Sequence, residues 1–274
     1  MNPPCIPPLK KGGGDIPPSR RGKGARGIGL HAALLLLLLF AVAPLRAEEI
    51  APPDRLRGID RSLLSHTYAE GAFVPEYEPP APGTYTLPLM DTLSDHAVIR
   101  SDGETTSLFA LKKDRLAVIA FVYTSCAEVT GCPLSQSVLQ HVDRALAEDP
   151  ELARKVVLIS ASFDPQRDAP KRLREVRSFY SPKTDWRFIT TRNEKQLQLL
   201  LDDFGQTIQK LRFEDGQWSG LFRHVLKVFL LDRDNRVRNI YSVGFLNPPL
   251  VLNDLRTLVM EGSRESRVEG RPAL

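Results

Sequence analysis

The sequence predicts an α/β domain built on a central mixed sheet flanked by helices. Three observations predict it. LAVIAFVY at 116–123 is an almost continuously apolar, β-rich run, as a strand buried on both faces requires, and KVVLISASF at 155–163 reads as a second buried strand. Each is followed by a segment whose apolar residues recur at helical spacing. Near the C-terminus two strand-like stretches flank Asp234-Asn235, and an amphipathic segment closes the chain.

The elements follow in order. TYTLPLM at 84–90 and AVIRSDGETTSLFAL at 97–111 suggest two short strands around an Asp102-Gly103 turn. After the first buried strand, Leu134, Val138, Val142 and Leu146 mark a helix. Pro133 suits its first turn, which puts Cys132 near the N-cap. After the second, DPQRDAPKRLREVRSFY is a turn and then a helix starting near Asp168 or Ala169. WRFITT is a short strand, and NEKQLQLLLDDFG a helix that Gly205 stops. HVLKVFLLDRDNRVRNIYSVG is two strands around a turn, PPLVLNDLRTLVMEG is the last helix, and a polar tail of 263–274 frays. A βαβ start, an antiparallel hairpin and a closing helix make the thioredoxin-like arrangement.

The first 47 residues follow a different logic. Lys10, Lys11, Arg20, Arg21, Lys23, Arg26 and Arg46 face only Asp15 there, so the net charge of +4 comes from this segment and the remainder is near neutral. No basic stripe is left on the domain, which excludes nucleic acid as a partner. The fully apolar run from Ala32 to Ala43 is twelve residues, shorter than the roughly 20 a spanning helix needs, and fits a secretory signal cleaved after Ala47. Counted from Gly27 to Leu45 it is nineteen, the length of an uncleaved inner-membrane anchor. Both readings export the chain to the periplasm. Residues 48–83 form a Pro-rich lead-in with a helical piece at 56–68, and the compact domain covers 84–262.

Export gives the cysteines their meaning. Cys5 falls in the leader, so the exported part holds Cys126 and Cys132 alone, in TSCAEVTGCPLS, in an oxidising compartment. They lie where a buried strand meets a helix N-terminus, whose unpaired N–H groups and dipole favour a thiolate. On that ground Cys132 is expected to have a depressed pKa. Five intervening residues leave three uses open: a metal site, a dithiol–disulfide pair, or a bridge that staples a short loop and stabilises little.

Three stretches together resemble the Sco/SenC family of exported copper proteins: TSCAEVTGCPLS between strand and helix, ISASFDPQRDAP at 159–170, and RHVLKVFLLDRDNRV at 223–237. They occur in the family's order, and the resemblance covers about residues 84–262, most of the exported chain. The resemblance implies a copper site, holding Cu(I) or Cu(II), formed by Cys126, Cys132 and His224. It implies a metallochaperone that delivers copper to, or reduces the cysteines of, the Cu(A) site of a respiratory oxidase subunit. A thiol reductant and a copper-donor protein are the further partners it implies. Asp164 and Asp168 match the family's acidic turn and are expected beside the site as structural or outer-sphere groups. The chain departs from the family's Cys-x3-Cys by two added residues, and keeps only the proline after the second cysteine.

The donor chemistry is consistent with copper, since two thiolates and an imidazole suit Cu(I) and hold Cu(II) with a fourth ligand. Where a thioredoxin-type oxidoreductase carries a cis-proline, this chain has Arg223-His224-Val225. The alternative is an enzyme, a thiol–disulfide oxidoreductase using Cys126 and Cys132 without metal. His66, His96 and His141 read as ordinary polar or surface histidines, Tyr123 and Thr124 as residues flanking the site. Lys171, Arg172, Arg174 and Arg177 read as a solvated helix face.

Overall fold

The computed structural model describes residues 77–268 apart from Ala127, Val129 and Thr130. The leader at 1–47, the anchor alternative at 27–45 and the helical piece at 56–68 lie outside the described residues. Among the described residues no helix is long and apolar enough to cross a membrane.

The strands are β1 (Asp91–Thr92), β2 (Ala97–Arg100), β3 (Thr105–Ser107), β4 (Leu116–Val122), β5 (Val156–Ser162), β6 (Trp186–Thr190), β7 (Ile208–Arg212), β8 (Trp218–His224), β9 (Val228–Leu231) and β10 (Arg236–Tyr241). The helices are α1 (Leu108–Lys112), α2 (Cys132–Ala147), α3 (Pro150–Arg154), α4 (Pro170–Tyr180), α5 (Glu194–Asp203) and α6 (Pro248–Val268). Eight strands form one mixed sheet in the order β1-β10-β9-β4-β5-β6-β2-β3. Strands β4, β5 and β6 run parallel, and β9 pairs antiparallel with β4. Every residue of β4 and β5 is buried, which explains why β4 is wholly apolar and why β5 departs from that only at Ser160 and Ser162. Helix α2 buries Leu134, Val138, Val142 and Leu146, the four predicted positions.

The register places the chemistry. Leu116 pairs with Val156 and Val122 with Ser162, so β4 and β5 end level, and Phe163 N–H donates to the Val122 carbonyl at 2.9 Å. The cysteine loop and the Asp164 turn therefore leave the sheet side by side, at the carboxyl ends of parallel strands.

Several expectations are corrected. TYTLPLM is not a strand: Pro88 lacks an N–H, and the pairing begins at Met90 N–H to the Val237 carbonyl, with β1 at Asp91–Thr92. The end of AVIRSDGETTSLFAL is helical, because Ser107 accepts from Ala110 N–H and caps α1. Asp149 caps the unforeseen α3, with Pro150 in its first turn. Helix α6 passes Ser263, whose hydroxyl donates to the Val259 carbonyl; no Gly or Pro interrupts 263–268. The described end of the lead-in lies along α6, with Gly83 N–H donating to Thr257 Oγ1 at 3.0 Å and Asn253 Nδ2 to the Pro80 carbonyl at 3.0 Å.

The largest omission is the β7–β8 hairpin, a separate two-stranded sheet. Its turn carries Asp215-Gly216 with Gly216 at φ +82°, a hairpin signal present in the sequence. His224 consequently ends β8 and does not open the strand that follows.

Candidate metal centre

The site is assembled from three elements. Past β4, the Cys126 N–H donates to the Tyr123 carbonyl at 3.2 Å, turning the chain. The buried Asp168 carboxylate anchors that turn: it accepts from Thr124 N–H at 2.9 Å, Thr124 Oγ1 at 2.5 Å and Ser162 Oγ at 2.6 Å. Burial pushes the Asp168 carboxyl up, and the Ser162 and Thr124 donors oppose that shift. Gly131 caps α2, so Cys132 is its first residue, with Pro133 next. Hairpin β7–β8 brings in His224 from the other side.

These elements bring Cys126, Cys132 and His224 together, as the sequence reading expected. Their donor atoms all lie within 4.8 Å of one another, and Cys132 Sγ stands 3.8 Å from His224 Nε2. Both cysteines are free thiols. The lengthened loop has not separated them. The imidazole leans edge-on against Phe163, with ring centroids 4.9 Å apart, and Tyr123 lies 6.3 Å away. A cavity of about 630 Å³ opens over the site, lined by Cys126, His224, Glu128 and apolar residues including Leu221 and Val225. Cys126 is half-buried at its edge, whereas Cys132 is 3% exposed.

The electrostatics correct one expectation. The thiolate belongs to Cys126. A hydrogen bond from the Cys132 thiol, helped by His224, overcomes burial and holds Cys126 down at about 4. Burial, then the Cys126 sulfur itself, pushes Cys132 well above the ordinary thiol range. The helix N-terminus favours charge at Cys132, but a desolvated thiol beside another sulfur keeps its proton, and the pair shares one. Burial and the Cys126 sulfur likewise push the Tyr123 hydroxyl up.

Asp164 is not among the three clustered donors. It is buried at the turn after β5, where its carbonyl accepts from Asp168 N–H at 2.9 Å and its carboxylate pairs with Arg167. Sequence reasoning missed Arg167, Trp218 and Phe222; Arg167 stacks on Trp218, Trp218 on Phe222, and Phe222 on Phe163 and Tyr123, the two rings beside His224. The first sits three residues beyond Asp164, and the other two belong to the unforeseen hairpin. The helix-face arginines are not simply solvated. Arg172 Nε donates to Thr124 Oγ1 at 3.3 Å, and Arg177 Nε to the Trp186 carbonyl at 3.3 Å. His96 pairs with Asp203 at 2.8 Å and His141 Nδ1 lies 2.8 Å from the Ser137 carbonyl.

The sulfur asymmetry is testable on the reduced, metal-free protein. Alkylation by iodoacetamide tracks the thiolate, and a depressed pKa preserves the thiolate as pH falls. Cys126 is expected to react at a rate nearly flat from pH 7 down to pH 5, falling only near pH 4, with Cys132 protected throughout. Peptide mapping after a timed pulse reads both; preferential labelling of Cys132, or a rate rising steeply above pH 8, would reverse the assignment.

A family model described as SCO1/SenC matches residues 90–260. The chain is similar to the SCO1 protein homolog of Bacillus subtilis (strain 168), 27% identical over 161 residues that cover 57% of this chain and 77% of that protein. It is also similar to an SCO2-like protein of Rickettsia prowazekii (strain Madrid E), 25% identical over 125 residues; that match covers 45% of this chain and spans 57% of the relative's length. Among solved structures, ScoI of Bradyrhizobium japonicum, solved with copper bound, superposes with a TM-score of 0.50 at 24% identity, covering 60% of this chain and 98% of that one. At that identity the likeness establishes the fold, which is the thioredoxin-like one expected from the element order.

Proposed function

The chain belongs to the SCO1/SenC family, and on that premise we propose that it is an exported copper-binding metallochaperone that holds copper on Cys126, Cys132 and His224. One observation carries the reading: two thiols and an imidazole converge within 4.8 Å at the edge of an open cavity. The donor set fits the ion. Soft thiolates select Cu(I), and the imidazole with a fourth ligand or water accommodates Cu(II). Three protein donors leave a coordination position through which a partner's ligand can enter, as transfer requires. The relative from Bradyrhizobium japonicum was solved with copper bound, which supports the same cargo here. The client is a periplasm-facing cuproprotein. The family resemblance names the Cu(A) subunit of a respiratory oxidase, with a thiol reductant keeping the cysteines loadable.

Proton counting provides the test. Copper binds thiolates, so loading must remove the protons the thiols still hold. Cys126 is already ionised at neutral pH and Cys132 is not. Titrating the reduced full-length chain with Cu(I) in weak buffer at pH 7 should show one saturable equivalent. About one proton should be released per copper, not two. Absence of saturable binding would remove the reading.

A second reading draws on the same asymmetry. A half-buried low-pKa Cys126 beside a buried Cys132 is the arrangement of an attacking thiol and its resolving partner in disulfide exchange. That activity requires both sulfurs but not His224, and the two readings are compatible because loading begins from the dithiol.

A further inference from the structure

His224 is delivered by an element that the main sheet does not hold. Among the described residues, strands β7 and β8 pair only with each other, and an isolated two-stranded hairpin is at best marginal in water. Something outside the hairpin must fix the imidazole against the sulfurs. We propose that Arg167 is that positioning residue: its guanidinium latches β8 to the end of β5 and so sets the place of His224.

The geometry supports the latch from both sides. On the β5 side, Arg167 pairs with the Asp164 carboxylate, whose side chain is 3% exposed. Asp164 is itself pinned, its N–H donating to Ser162 Oγ at 3.0 Å. On the hairpin side, Arg167 Nη2 donates to the Gly220 carbonyl at 2.7 Å, and the guanidinium lies 4.4 Å from the centroid of Trp218. Trp218 stacks edge-on against Phe222 at 5.3 Å, and Phe222 packs on Phe163 at 5.2 Å and Tyr123 at 5.1 Å, two residues before His224. A planar fork is needed, since one face stacks while the edge donates.

Gly220 has the form such a latch requires. A Cβ there would sit 3.1 Å from Arg167 Nη1, and the residue adopts φ +83°, where a side chain is strained. Other ties exist, but neither is a charge-assisted bond to β8 itself: one holds β7, and the other reaches the residue after His224. Lys210 pairs with Glu194 at a partly exposed site, and Gln206 Nε2 donates to the Val225 carbonyl at 3.1 Å.

Two readouts on the full-length reduced chain test this. The first is amide exchange in metal-free protein. Arg167→Met and Trp218→Leu should each speed exchange across Trp218–His224 about tenfold, with β4 and β5 amides unchanged. Trp218→Leu keeps the Asp164–Arg167 pair, so the question is answered even if the unpaired Asp164 prevents Arg167→Met from folding. Unchanged β8 exchange in either folded variant, or equal acceleration in β4 and β5, would overturn the proposal.

The second readout rests on the copper reading. Arg167→Met should weaken Cu(II) binding about tenfold, as loss of an outer-sphere support does, but should have no further effect in a His224→Ala background. Arg167→Lys should recover part of the loss through the carbonyl contact. Equal weakening in both backgrounds would make Arg167 a general stabiliser and sink the positioning role. If the parent chain binds no copper, the metallochaperone reading fails, and the exchange experiment still decides the latch.

Discussion

Cys132→Ser is expected to abolish tight Cu(I) binding, lowering affinity by more than the roughly 100-fold that loss of an outer-sphere support can cost. The reasoning is that Cu(I) prefers thiolate sulfur, so exchanging one of two sulfurs for a hydroxyl removes half of the soft donor set. Position 132 makes the comparison clean. It is the buried first residue of α2, and serine differs there by one atom. The Ser135 hydroxyl already donates to its carbonyl, a contact the variant keeps. His224→Ala should behave differently. Cu(I) should remain on the two sulfurs with a smaller loss, while Cu(II) binding, which depends more on the imidazole, should fail. Chelator competition in both oxidation states checks the pair. Equal losses in both variants for both ions would mean that the three residues do not divide the work in this way.

Trp186→Ala is expected to cost about 3–5 kcal/mol of stability, the range for truncating a buried aromatic. Trp186 is fully buried, with Tyr180 and Phe188 at ring distances of 5.3 and 5.2 Å. Its Nε1 donates at 2.9 Å to Ser160 Oγ, which also bonds Gln136, a residue in the second turn of α2 after Cys132. The substitution therefore opens a cavity and removes one bond from a buried polar network that ties α2 to the sheet. For a domain of this size the melting temperature should fall by about 10 °C. Trp186→Phe should recover much of the packing but not the hydrogen bond. A drop of less than about 1 kcal/mol for the alanine variant would mean that this core collapses around the gap.

What was legible in the sequence follows from what local patterns encode. β4 and β5 were readable because strands buried on both faces permit almost only apolar residues over their length. Helix α2 was readable from its apolar spacing and Pro133, and the cysteine pair from its place between the two. The β7–β8 hairpin was missed because it is half-exposed on both strands, so Ile208–Arg212 shows neither a continuous nor an alternating pattern. Its Asp215-Gly216 turn was the available signal. That omission also displaced His224, whose identity as a donor came from family resemblance and whose delivery by β8 did not. The pKa assignment failed for a different reason. Helix position is a property of sequence, but burial depth is not, and the desolvation of Cys132 outweighed the helix dipole. The same limit hid Arg167, since its partner Trp218 lies far along the chain in an element that had not been recognised.

The central claim is that copper sits on Cys126, Cys132 and His224, and X-ray absorption at the copper edge tests it most directly. The reduced full-length chain, loaded with one equivalent of Cu(I), should show two sulfur scatterers and the outer-shell pattern of one imidazole. Cys132→Ser should lose one sulfur, and His224→Ala the imidazole pattern alone. A first shell of nitrogen and oxygen only, or one that neither substitution alters, would contradict the account and place the metal elsewhere.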